Sequence, residues 1–210
     1  DQKQKMFSEE LNLKSTTANR YKWLFGAFGF WQGIDNTVIL DYLAQKYTTR
    51  KFYDTPTYGF ALYHQSTFDD LLFDGLSATF GIRYDYERAS TDFVGFKDTE
   101  EKTEQSDAFY SKLKFSQVTP KFALQYLFPS SGILYATVTK GYKTGGFNTS
   151  FEREEDRSFR PETSWNYEIG GKHPFLDNRL RADIAFFWID WKNQQISQTL
   201  PSGRGSMLTN

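Results

Sequence analysis

The chain has 210 residues, of which 39% are hydrophobic, 19% aromatic and 24% charged, with no cysteine and a formal net charge of -1. The missing thiols exclude a disulfide framework and any Cys-based zinc or redox site, and 25 basic against 26 acidic residues leave no basic face for nucleic acid. A mean hydropathy of -0.63 would suit a disordered chain, but 21 Phe, 13 Tyr and 5 Trp must be buried or face lipid.

Asp1 to Lys5 open the chain polar, with no apolar stretch behind them, so no secretory leader is read here. No apolar run approaches the ~18–20 residues of a spanning helix, which leaves a membrane barrel open. Tyr21 to Gln32 is apolar on both parities but broken by Gly26 and Gly29, which suits a strand better than a helix. A connection is expected from about Gly33 to Pro56. After it, Tyr58, Phe60, Leu62, His64 and Phe68 share one parity. From Leu76 to Glu87 the alternation is strict: Leu76, Ala78, Phe80, Ile82, Tyr84 and Tyr86 on one face, charged and small residues on the other. That polar face carries Arg83, Asp85 and Glu87, which no sandwich core accepts unpaired.

A long acidic connection is expected from Thr91 to Phe109. Phe122, Leu124, Tyr126 and Phe128 then alternate with Lys121, Ala123 and Gln125, and Trp165, Tyr167 and Ile169 alternate with Ser164, Asn166 and Glu168. Leu180, Ala182, Ile184, Phe186 and Trp188 share a further parity. Short turns are expected at residues 15–19, 69–74, 129–132 and 175–178, and long connections at 33–56, 91–109 and 144–161, with a polar stretch from Asn193 onward. Short turns at one end and long loops at the other are the pattern of an outer-membrane barrel. The fold class read here is all-β: antiparallel strands of a transmembrane β-barrel, about eight strands of roughly 10–14 residues, where a tilted membrane strand needs ~9–11. Aromatics near strand ends fit interfacial girdles. An all-β sandwich is the competing architecture.

The run Leu134 to Asn148, with Gly141, Gly145 and Gly146, resembles a signature of TonB-dependent outer-membrane receptors. So do Phe159-Arg160-Pro161-Glu162 through Gly170 with Lys172, Asp177-Asn178-Arg179-Leu180, Phe186 to Trp191, and Gln194-Gln195. Upstream, Phe7 to Leu13 and Thr79 to Tyr84 resemble an early and a mid-barrel strand of that family. The order matches over essentially the whole chain, and the likeness is closest to receptors for iron complexes. The resemblance implies a bacterial outer-membrane location, a 22-stranded parent barrel, an N-terminal plug and a short box that engages TonB. Residues 1–210 are then a partial barrel, with the plug domain and the C-terminal strands absent. The implied partners are outer-membrane lipid, TonB through that missing plug and box, and a small-molecule metal chelate as ligand.

The three glycines are expected to relieve crowding and tolerate positive φ where the chain leaves the wall. Pro161 suits a strand start, and Glu168 is expected to point into the lumen, with Arg83 or Lys172 as partner. His64 and His173 are too isolated to be metal ligands, so no metal and no cofactor are expected. No nucleophile-elbow motif accompanies His64, and Gly145-Gly146 lacks the following Lys-Ser/Thr of a phosphate loop, so no catalysis is expected. The acidic clusters Glu100-Glu101 and Glu152 to Asp156 read as solvated charge. The ligand-binding candidates are Tyr42, Tyr47, Arg50, Lys51, Phe52 and Tyr53, aromatics with cations that suit an anionic or aromatic chelate. The reading is an active transporter for nutrient uptake, of an iron–siderophore or similar complex. Its rivals are a soluble all-β carbohydrate-binding module and a barrel hydrolase.

Overall fold

A computed structural model describes residues 1–16, 19–129, 131–177, 179–203 and 205–210. Thr17, Ala18, Ser130 and Asn178, which belong to expected turns, lie outside the described residues. The strands are β1 Gln2–Lys14, β2 Tyr21–Tyr42, β3 Tyr47–Phe68, β4 Leu76–Thr99, β5 Thr103–Leu127, β6 Ile133–Lys143, β7 Gly146–Phe147, β8 Ser158–Phe159, β9 Glu162–Phe175, β10 Leu180–Lys192, β11 Ile196–Thr199 and β12 Ser206–Thr209. Eight of them form one sheet in the order β1-β2-β3-β4-β5-β6-β9-β10, antiparallel throughout. The sheet is open, with β1 and β10 at its edges.

The number of strands in the main sheet agrees with the sequence reading, as do the lengths of β1, β6, β9 and β10 at 11–14 residues, but the lengths of β2 to β5 do not. β2 to β5 run 22–25 residues, against the expected 10–14. The expected connections at Gly33–Pro56 and Thr91–Phe109 are hairpin arms instead, closed by a single 3-10 turn at Leu43–Gln45 and a short turn between Thr99 and Thr103. The physical reason is backbone satisfaction: two polar arms pair their N–H and C=O groups with each other along the full excursion. The expected long segment at 144–161 does interrupt the sheet, between β6 and β9.

The two faces differ as the alternation predicts. One carries Phe25, Leu62, Phe80 and Ile82, each about half exposed (53%, 56%, 50% and 53%), a surface that only an apolar environment would cover. The opposite face is polar and hydrogen-bonded. Tyr63 donates to Glu10 and Asn12, and Arg83 pairs with Asp85 and sits 5.4 Å from the Tyr63 ring. Glu168 lies on this polar face, yet accepts from Tyr135 Oη at 2.6 Å rather than from Arg83 or Lys172. The register explains it: Tyr135 on β6 lies opposite Gly170, next to Glu168 on the same face, while Arg83 is spent on Asp85.

His64 is on the apolar face against Phe25 (4.1 Å), its ring nitrogens satisfied by Leu24 O and Ser66 Oγ at 3.0 and 2.8 Å. Among the described residues no group of His, Cys, Asp and Glu is arranged to hold a metal. Gly141, Gly145 and Gly146 serve close approach rather than the positive φ expected of them; the glycines in that region are Gly75, Gly203 and Gly205. A methyl group at Gly145 would collide with the Phe159 carbonyl oxygen and come within 2.9 Å of the Phe115 ring.

Candidate functional site

The tall hairpin β2–β3 carries the candidate residues above the apolar band, flanked by the tall hairpin β4–β5, and the register sorts those residues by face. Adjacent residues of a strand point to opposite sides. Tyr47, Lys51 and Tyr53 therefore share the polar face of β3, while Arg50 and Phe52 share the other. Tyr42, opposite Tyr47, stacks on it at 4.5 Å, and Lys97 Nζ caps the Tyr47 ring at 4.4 Å. On the other face Arg50 makes a two-pronged pair with Asp98 at 2.6 and 2.9 Å and covers Phe96, against which Phe52 also packs. The structure thus brings Tyr42 and Tyr47 together, sets Lys51 on the same face four residues further along β3, and places Arg50 and Phe52 on the opposite face.

Tyr53 is 4% exposed and is a structural anchor. Its ring packs on Phe93 (4.7 Å), Phe93 packs on Phe109 (4.9 Å), and its hydroxyl donates to the Thr149 carbonyl. Burial pushes the Tyr53 phenol well above its ordinary range, with the Asp107 charge adding to it. Burial also pulls the Lys51 ammonium down, opposed by Asp107. A partly desolvated cation on the same face as a pair of half-buried aromatic rings is a place where an anion gains more than it would in open water.

Over this wall folds the segment between β6 and β9. β7 and β8 pair as a two-residue ladder, Gly146 with Phe159 and Phe147 with Ser158. Phe151 packs on Phe109 at 5.6 Å, and the Arg157 guanidinium lies over both rings at 4.4 and 5.5 Å. Asn148, 5% exposed, ties the segment to β12: its Nδ2 donates to Asp156 O and Leu208 O, and its Oδ1 accepts from Leu208 N, all at 2.8–2.9 Å. Gln195 donates to Glu162, Thr144 O and Arg160 O. The acidic cluster Glu152 to Asp156 is partly paired within itself, through Arg153–Glu155, Arg153–Asp156 and Arg157–Glu154.

The packed unit of Phe93, Phe109, Phe151, Asn148 and Arg157 was not among the sequence candidates. Its one sequence signal is on β4, where the parity that carries Arg83, Asp85 and Glu87 continues as Ala89, Thr91 and Phe93, all buried.

A family model described as "TonB dependent receptor-like, beta-barrel" matches residues 2–210. Among solved structures the chain is similar to the ferric yersiniabactin uptake receptor FyuA from Yersinia pestis, with a TM-score of 0.76, 21% identity, and coverage of 100% of this chain and 30% of that one. It is also similar to the ferric citrate transporter FecA in its unliganded form, with a TM-score of 0.50, 12% identity, and coverage of 91% and 35%. At these identities the likeness concerns the fold, and the chain spans about a third of the length of the solved proteins it matches.

Proposed function

This chain belongs to the TonB-dependent receptor β-barrel family of bacterial outer-membrane proteins, and from that premise we propose that it forms part of the wall and outer loops of a receptor that takes up iron–siderophore or similar chelates. The family is one of receptors and transporters rather than enzymes, and its membership displaces the soluble carbohydrate-binding alternative. Residues 1–210 are a portion of a larger barrel, with the plug and the remaining strands supplied by other parts of the protein. The apolar face meets lipid, the face of Arg83, Tyr63 and Glu168 lines the lumen, and TonB acts through the plug. A ligand enters from the side of the tall hairpins, where Tyr42, Tyr47 and Lys51 face the lumen and offer two stacked rings and a partly desolvated cation to an anionic or aromatic chelate.

The observation that supports this reading most is the strict separation of faces from Leu76 to Glu87 on β4, joined to a family match over nearly the whole chain. These 210 residues contain no cysteine that would compete with an introduced label. Spin labels at Phe80, Ile82 and Tyr84 of the full-length receptor in bilayers should report lipid; uniform water accessibility there refutes the barrel assignment. Growth under iron limitation then tests the ligand class. A strain lacking the receptor should lose uptake of at least one ferric chelate, Tyr47→Ala with Lys51→Ala should weaken that uptake, and wild-type uptake of every ferric chelate by the deletion strain would sink the proposal.

A further inference from the structure

Immediately above the apolar band, on the same face, the sheet carries a cluster of cations. Arg88 on β4 lies opposite Lys114 on β5, Ser90 lies opposite Lys112, and Tyr58 on β3 lies opposite Arg88. Arg88 Nη1 reaches Tyr58 Oη at 3.3 Å, and Lys112 Nζ stands 4.9 Å from the centre of the Tyr110 ring. The Tyr110 phenol is held below its ordinary range by its hydrogen bond with Lys112, then by Ser90 and by the Lys112 and Arg88 charges, so all these groups meet at one spot. Lys112, Lys114, Tyr58 and Tyr110 are exposed.

Three features set this cluster apart. Like charges directly opposed across a ladder destabilise a sheet. Yet among the described residues no carboxylate lies within ion-pair distance of Arg88, Lys112 or Lys114, whereas Arg50, Arg83, Arg153 and Arg157 are all paired. On this face the first carboxylate of the ladder is Asp92, opposite Tyr110 and one same-face step above Lys112, with Asp54 opposite it on β3. And directly beneath the cluster lie Tyr84, Ile82 and Phe80 on β4 and Val118 and Phe122 on β5, the surface proposed above to meet lipid.

We infer that Arg88, Lys112 and Lys114, with Tyr58 and Tyr110, bind the phosphorylated headgroup of a lipid in the outward-facing leaflet. A guanidinium binds phosphate through a fork of N–H groups, two ammonium groups add point charge, and the tyrosines supply hydroxyls at headgroup depth. Free phosphate would use the cations but not the apolar strip below them; an amphiphile uses both. The inference rests on the apolar face meeting lipid.

The test uses the full-length receptor, stripped of lipid in neutral detergent and given lipid A or its dephosphorylated form, with retention read by native mass spectrometry. Wild type should retain the phosphorylated lipid about tenfold better, since each basic group near an anionic surface contributes severalfold. Arg88→Gln with Lys112→Gln and Lys114→Gln should abolish that preference, and Arg88→Lys with Lys112→Arg and Lys114→Arg should keep it. Equal retention of both lipids by wild type, unchanged preference in the triple Gln variant, or displacement by millimolar inorganic phosphate would each overturn the inference. The wild-type comparison and the charge-preserving variant decide the matter even if the Gln variant misfolds. Lipid contact at Phe80, Ile82 and Tyr84 without headgroup preference sinks this inference alone; water contact there sinks the parent reading as well.

Discussion

Asn148 holds two parts of the outer surface together with a side chain of one amide. It satisfies the Asp156 and Leu208 carbonyls and the Leu208 amide, while its own N–H donates to Arg157 O. Truncation leaves those backbone groups unpaired, at about 1–3 kcal/mol for each that stays dry. Asn148→Ala should therefore lower stability by at least ~2 kcal/mol and speed amide exchange across residues 144–161 and 206–209, leaving β4 and β5 unchanged. The Arg50–Asp98 pair gives a second prediction, with a sign fixed by linkage. Hydrogen bonds from Arg50 and then Thr103 hold the Asp98 carboxyl below its ordinary range. Its stabilisation is complete above the unfolded carboxylate pKa of about 3.9 and is lost as pH falls through the lowered folded value. The tip of the β2–β3 hairpin should thus be indifferent to pH from 5 to 8 and loosen only in acid below about pH 4, as read by a probe at Thr48. Asp98→Asn should show the loosened state at every pH. Arg50, Lys51, Phe52 and Tyr53 alternate between faces because they pair as a strand, in a stretch whose sequence reads as a connection. Nor did the sequence show which face is buried, because that depends on Phe93 and Phe151, 40 and 98 positions from Tyr53.

At the scale of elements, the membrane part of the sheet was legible because lipid on one side and water on the other impose period two, as from Leu76 to Glu87. The hairpin arms above it were not, since with water on both sides no such contrast survives. Tyr47-Thr48-Thr49-Arg50-Lys51 is a strand by pairing with Leu40 and Val38 on one flank and Phe96 and Gly95 on the other, not by its own pattern. The segment from Thr144 to Pro161 was legible as a long connection with glycines at its start, but not as a packed one. Gly145 is needed because Phe159 and Phe115 crowd its α-carbon. Gly145→Ala must shift backbone and cost about 1–3 kcal/mol. It should expose the bond after Arg153 to trypsin without altering the β-sheet signal in circular dichroism. Unchanged proteolysis would mean the close approach has no energetic weight.

The whole molecule has two unsatisfied boundaries, and they differ in kind. One is the pair of edges, β1 and β10, each 13 residues of ladder with one side unpaired. The other is the apolar face, which includes Phe186 and Trp188 on β10 itself, 71% and 72% exposed. A soluble β-protein blunts its edges with charge, proline or bulges; along β10 the run Ala185-Phe186-Phe187-Trp188-Ile189 does none of this. Both boundaries are covered in a closed barrel within a bilayer and neither is covered in water, so they reinforce each other. An edge with an uncharged apolar run at its centre pairs with the next copy, and the apolar faces then stack. The 210-residue chain alone, refolded from urea without detergent, should accordingly associate or precipitate at micromolar concentration, with light scattering growing in step with β signal. Added detergent micelles should cover the face but not the edges, giving small strand-paired oligomers rather than monomers. Phe187→Lys and Ile189→Lys on β10 should then shift those oligomers toward monomer by charging one edge, while leaving the apolar face intact. A chain that stays monomeric in plain buffer would show that its aromatics cover one another. That outcome would remove the physical basis for placing them against lipid.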